Sequence, residues 1–114
     1  GKLAIMHCCG SAADIMPDIV EIGLDVIESV QPEAAGMNPY ELKKAWGDKI
    51  TFWGCLGSQH TIPFATPAEI RQEIRHLRCE MGKGGGYILA PAKPLRPETP
   101  TENAVALVEE FLGN

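Results

Sequence analysis

Thr66-Pro67-Ala68-Glu69, near the middle of the 114-residue chain, sets the reading of everything around it. A threonine that accepts a backbone N–H, a proline at the first helical position and a glutamate three residues on make a capped helix start. Behind it Ile70, Ile74, Leu77 and Met81 recur at helical spacing, and Gly82 stands where a helix can end in the left-handed conformation. The same start recurs at Asn38-Pro39-Tyr40-Glu41, followed by Leu42, Ala45 and Trp46 and closed by Gly47. It recurs again at Thr99-Pro100-Thr101-Glu102, followed by Val105, Val108 and Leu112 and closed by Gly113. An earlier helix fits between Ser11 and Gly23 on Ile15, Ile19 and Ile22, with Pro17 in its first turn.

Between these helices lie short apolar runs without alternation: Leu3-Ala4-Ile5-Met6, Val26-Ile27, Ile50-Thr51-Phe52-Trp53 and Tyr87-Ile88-Leu89-Ala90. Strands covered on both faces read this way, and parallel neighbours need a helical crossover, which the chain supplies each time. The predicted order is βαβαβαβα, a parallel α/β fold that is either an open doubly wound sheet or half of a (βα)8 barrel. The glycine run Gly82-Lys83-Gly84-Gly85-Gly86 precedes a strand, so it reads as a helix end and turn and not as a phosphate-binding loop. Trp46, Phe52 and Trp53 are expected to pack between strands and helices.

Composition bounds the function. The formal net charge is -5, with ten lysines and arginines scattered among fifteen acids, which argues against a nucleic-acid partner. No run reaches the roughly 20 apolar residues that span a bilayer, and the N-terminus lacks signal-peptide features, so a cytoplasmic protein is expected. The four cysteines, Cys8, Cys9, Cys55 and Cys79, are expected to be reduced, Cys79 as a structural residue within a helix.

In such folds chemistry collects in the loops after the strands. The loop His7-Cys8-Cys9-Gly10-Ser11 offers an H-x-C pair, and His7 with Cys9 can turn an imidazole and a thiolate toward one zinc ion. A zinc site needs a third protein ligand, for which Cys55, His60 and Cys8 are the candidates. Gln59 and His60, after the third strand, offer an amide and an imidazole to a polar substrate, and Lys93, between Pro91 and Pro94, offers a cation to an acidic one.

The runs His7-Cys8-Cys9-Gly10-Ser11, Glu21-Ile22-Gly23-Leu24-Asp25, Gln31-Pro32, Ala35-Gly36-Met37 and Phe52-Trp53-Gly54 resemble, in order, the later part of uroporphyrinogen decarboxylase (URO-D) and cobamide methyltransferase superfamily proteins. Thr66-Pro67-Ala68-Glu69, Gly84-Gly85-Gly86-Tyr87-Ile88-Leu89-Ala90-Pro91 and Pro100-Thr101-Glu102-Asn103 continue the likeness, so that nearly the whole chain is covered. The resemblance implies that residues 1–114 form a single domain, the C-terminal half of a (βα)8 barrel. It implies a zinc- and corrinoid-linked methyltransferase region, with a decarboxylase-like protein or a noncatalytic, partner-dependent half barrel as alternatives. The methyltransferase pattern is H-x-C followed by a distant cysteine; His7 and Cys9 match its first part, whereas the distant position falls on Lys93. Weak or substoichiometric zinc is therefore expected, because an ammonium cannot ligate a metal until it loses its proton. Partners implied are a missing N-terminal half barrel or a corrinoid protein. Two unpaired sheet edges further predict a homodimer.

Overall fold

The computed structural model describes residues 1–113. Strands β1 (Ile5–His7), β2 (Val26–Val30), β3 (Thr51–Leu56) and β4 (Tyr87–Pro91) alternate with helices α1 (Met16–Glu21), α2 (Pro39–Trp46), α3 (Thr61–Phe64), α4 (Pro67–Met81) and α5 (Thr101–Phe111). All three strand pairings are parallel, and the spatial order β1-β2-β3-β4 is the order along the chain. That order settles the architecture. A doubly wound sheet reverses direction at a switch point, whereas right-handed crossovers that always step the same way put every helix on one face. The fold is half of a (βα)8 barrel.

The pairing register sorts the strand residues between two faces. Met6, Ile27, Phe52, Tyr87 and Leu89 belong to the helix-covered core. Their neighbours along each strand point the other way, and the register aligns His7, Glu28, Trp53 and Ile88 as one row across the helix-free face. Trp53 thus departs from the expectation that it packs under the helices: Phe52 is fully buried there, and Trp53 lies half-buried on the opposite face.

Helix α4 forms as its sequence predicts. Thr66 Oγ1 accepts from the Glu69 N–H at 3.2 Å, and Glu69 Oε2 accepts from the Thr66 N–H at 2.8 Å. Ile70, Ile74, Leu77 and Met81 are fully buried against the sheet. Helix α2 is capped by Asn38 Oδ1, which accepts from the Tyr40 and Glu41 N–H groups, and it buries Leu42 and part of Trp46 while Ala45 faces solvent.

Three expectations about the other helices need correction. Helix α5 begins at Thr101, after an uncapped Pro100, and Thr99 Oγ1 is buried without a partner among the described residues. Its apolar period faces outward: Val105, Val108 and Leu112 are exposed, and the buried side carries Asn103, Ala106, Leu107 and Glu110. Polar bonds explain this rotation, since Asn103 Nδ2 donates to the carbonyls of Ile62 and Ala65, at the end of α3, and Glu110 receives Arg75 from α4. In the first crossover, a 3-10 turn over Ala13–Ile15 precedes α1, with Pro17 in its first turn as expected, but Met16 and Ile19 are buried while Ile15 and Ile22 are exposed. Finally, Gly47 and Gly82 end their helices in right-handed geometry, and of the three closing glycines only Gly113 takes the left-handed form. Gly47 and Gly82 are needed for space instead, because a Cβ there would collide with the carbonyls of Lys43 and Arg78.

All four cysteines are free thiols, and Cys79 is exposed on α4. No helix among the described residues is long and apolar enough to cross a membrane.

Candidate functional site

The C-terminal ends of the strands are sewn together sideways. His7, the last residue of β1, donates from Nδ1 to Glu28 Oε2 on β2 at 2.6 Å, and the Cys8 N–H donates to the Glu28 carbonyl at 2.5 Å. Ser11 Oγ reaches the Ala35 carbonyl at 2.6 Å, linking the first loop to the second. Glu33 Oε1 accepts from the Gln59 N–H at 3.2 Å, linking the second to the third, with its carboxylate lying where a Cβ on Gly57 would stand. Ser58 joins the third loop to the fourth: its Oγ accepts from the Lys93 N–H at 2.8 Å and lies 3.2 Å from the Lys93 carbonyl. Ser29 Oγ donates to the neighbouring Ala92 carbonyl. The chain segment carrying Lys93 is therefore fixed by two buried serines.

Within this frame a cleft of about 410 Å³ is lined by His7, Glu28, Pro91, Ala92, Lys93 and Pro94. Cys9 follows His7 by two residues, and its thiol is influenced by both the His7 imidazole and the Lys93 ammonium. The electrostatics follow from these contacts. Glu28's hydrogen bond, and then the contact with Cys9, hold His7 above the ordinary imidazole range. The neighbouring His7, and then the positive charge of Lys93, hold the Cys9 thiol below its ordinary range. Carboxylate and imidazole are joined by a hydrogen bond, the lysine lines the same cleft, and the thiol is beside them. A larger cleft of about 510 Å³ lies between α2 and α4, lined by Tyr40, His76 and several lysines, and another of about 360 Å³ opens at the N-terminal ends of the strands. Neither lies at the strand C-terminal ends, where this architecture places chemistry.

Of the residues singled out from sequence, His7, Cys9 and Lys93 come together. Gln59 and His60 remain exposed on the loop after β3, His60 with its ring edge toward Phe64 at 5.9 Å. The three candidates for a further zinc ligand are placed elsewhere. Cys55 has a φ of 71° that turns its thiol into the core, where burial pushes its pKa up to about 12. Cys8 packs against the same core, and His60 stands exposed on the loop after β3, against Phe64. Among the described residues no three His, Cys, Asp or Glu side chains are arranged to hold a metal. The donor set is too small for zinc: Glu28 holds His7 by Nδ1 and leaves Nε2 as one candidate ligand beside the Cys9 thiol, but the group near Cys9 from the fourth loop is an ammonium, which has no lone pair to give.

Sequence reasoning missed Glu28, Ser29 and Ser58. Glu28 carried a signal, a carboxylate inside an apolar strand run, where an ionised group needs a partner. The serines carried none, because their role depends on the approach of β4.

A one-sided parallel sheet with its polar groups gathered at the strand C-terminal ends defines this as one half of a barrel-type α/β protein. The chain belongs to the uroporphyrinogen decarboxylase (URO-D) family, whose family model matches residues 1–111. Its relatives include the methylcobamide:CoM methyltransferase MtaA of Methanosarcina barkeri, 30% identical over 110 residues, which is 94% of this chain and 30% of that protein. The uroporphyrinogen decarboxylase of Rickettsia conorii is 33% identical over 91 residues, 80% of this chain and 24% of that protein. That of Actinobacillus succinogenes is 29% identical over 73 residues, 64% of this chain and 20% of that protein. The chain spans less than a third of the length of these relatives.

Proposed function

We propose that the chain supplies the C-terminal-half mouth of a group-transfer enzyme of the methyltransferase kind, in which Cys9 handles a sulfur-centred or methyl-accepting substrate. The observation that carries this reading is the cleft lined by Glu28, His7 and Lys93, with Glu28 bonded to His7 and the Cys9 thiol beside them. Glu28 fixes the imidazole with Nδ1 protonated, which leaves the ring able to exchange a proton at the thiol. Lys93 balances negative charge on the thiolate or on an acidic group of the substrate. The similarity to a methylcobamide:CoM methyltransferase over 94% of the chain supports the same reading and suggests a corrinoid methyl donor.

A second reading, a decarboxylase-like site, is favoured by the decarboxylase relatives and by Lys93 and Arg96 on the loop after β4, where cations would meet substrate carboxylates. One assay separates the two. The intact chain is mixed with methylcobalamin and coenzyme M, demethylation is followed by absorbance, and a parallel sample with a porphyrinogen is followed for CO2 release. Methyl transfer that Cys9→Ala abolishes supports the first reading. CO2 release without methyl transfer, or transfer indifferent to Cys9→Ala, overturns it.

A further inference from the structure

We infer that the Lys93 ammonium, and not a zinc ion, is the cation of this site. The lysine is built into place. Its own backbone N–H donates to Ser58 Oγ at 2.8 Å, the preceding residue's N–H donates to the Leu56 carbonyl at 2.8 Å, and Ser29 holds the Ala92 carbonyl. Prolines at 91 and 94 stiffen the segment on either side. From that position the residue lines one cleft with His7 and Glu28, and its positive charge acts on the Cys9 thiol.

A second cation beside the same thiol is disfavoured by the ammonium's charge, and an ammonium offers three donors and no acceptor, so it cannot join a metal's ligands. The remaining soft donors cannot replace it, since Cys55 is sealed in the core and Cys8 packs beneath the loop. The arrangement therefore has the electrostatic role of a metal site, a positive charge beside a thiol backed by an imidazole and a carboxylate, without a metal's coordination requirement. The ligand class it admits is an organic anion that hydrogen-bonds the ammonium. This inference does not depend on which reaction the site performs, because its test reads metal content and not turnover.

The intact chain, loaded with excess zinc and dialysed against chelator, is analysed for metal and titrated with zinc against a chromogenic competitor. Wild type is expected to retain less than about 0.1 zinc per chain, since two protein ligands fall short of any stable zinc site. Lys93→Cys restores a third ligand and is expected to retain close to one zinc and to bind on the order of 100-fold more tightly, with a thiolate charge-transfer band in the cobalt form. Lys93→His provides a second ligand variant should the cysteine variant fold poorly. The inference is overturned if wild type keeps one zinc per chain and loses it in Cys9→Ala, a result that needs neither variant to fold. It is equally overturned if folded Lys93→Cys and Lys93→His both bind zinc as weakly as wild type, which would mean that residue 93 does not occupy a ligand position.

Discussion

The two ends of the sheet are built differently. At one end β1 has only three residues, its helix has six, and Leu3, Ile5, Ile15 and Ile22 are exposed around it. Toward the other, α4 lies across the sheet with four fully buried apolar residues and is clamped to α5. Arg75 grips Glu110 with two bonds of 2.8 and 3.1 Å, Arg71 reaches Glu109 at 2.5 Å, and Arg78 donates to the Glu110 carbonyl at 2.9 Å. The candidate site sits on the thin end: His7 ends β1, Cys9 follows it, and the segment carrying Lys93 is held by serines on β2 and after β3. The packed core and the candidate site thus lie in different parts of one sheet, and the thin end owes its order to lateral hydrogen bonds more than to burial.

The largest effect expected from this contrast is association. The exposed apolar residues of the thin end have counterparts beyond α4, where Ile88, Val105, Val108 and Leu112 are also exposed. Two copies related by a two-fold axis along the strands would set β4 of each beside β1 of the other, in parallel, giving eight strands and no free edge. A dimer half-dissociated near micromolar concentration corresponds to about 8 kcal/mol. Light scattering after size exclusion is expected to give about twice the 12.3 kDa chain mass, and Ile5→Lys with Val108→Lys is expected to return it to the monomer. A wild-type monomer that unfolds cooperatively would break the comparison, since the thin end would then be complete by itself.

Next in size is the core. Leu77→Ala, on the fully buried face of α4, is expected to cost about 2–5 kcal/mol in urea unfolding, whereas Ile15→Ala on the exposed side of the first crossover should stay within about 0.5 kcal/mol. Equal losses at the two positions would show that the thin end is packed as tightly as the thick one.

The same asymmetry explains what was legible in the sequence. Helix α4 announced its start and its buried face, because a local capping box and an apolar stripe pointed to one helix, and only the geometry of its Gly82 end differed. Helix α5 misled: Val105, Val108 and Leu112 have the right period, but Asn103 and Glu110 have partners on α3 and α4 that no local pattern reveals, and those partners set which side turns inward. At the site, His7, Cys9 and Lys93 were legible as reactive residues at strand ends. Their assembly was not, because it rests on Glu28, Ser29 and Ser58, whose contacts cross between strands 21 to 63 residues apart.

Thiol reactivity sharpens the comparison at residue level. Cys9 is held below the ordinary thiol range by His7 and Lys93, while burial pushes Cys55 up to about 12. At neutral pH iodoacetamide should therefore label Cys9 and spare Cys55 in the folded protein, as read by tandem mass spectrometry. Lys93→Ala should slow labelling of Cys9 by up to about tenfold, the change in thiolate fraction for one pKa unit. No change on removing Lys93 would mean that its charge does not reach the thiol.

The smallest expected effects, and the most diagnostic, are opposite pH dependences at the two ends. His7 is raised above 6.5, first by its hydrogen bond to Glu28, so folding makes protonation easier. The stability it contributes is present in full below the unfolded value and is lost as pH rises through the folded one. Glu110 is lowered below 4.5, first by its hydrogen bond from Arg75, so its contribution is present above the ordinary carboxylate range and is lost as pH falls through the folded value. In thermal melts the gap between wild type and His7→Gln should close on going from pH 6 toward pH 9, and the gap between wild type and Glu110→Gln should close on going from pH 6 toward pH 3. Both pairs are partly solvated, so salt should shrink the two gaps. Gaps that closed in the same direction would mean that one pair is not formed in solution. If that pair were His7 and Glu28, the imidazole would lose the carboxylate that orients it, and the arrangement on which the proposed chemistry rests would be broken at its first link.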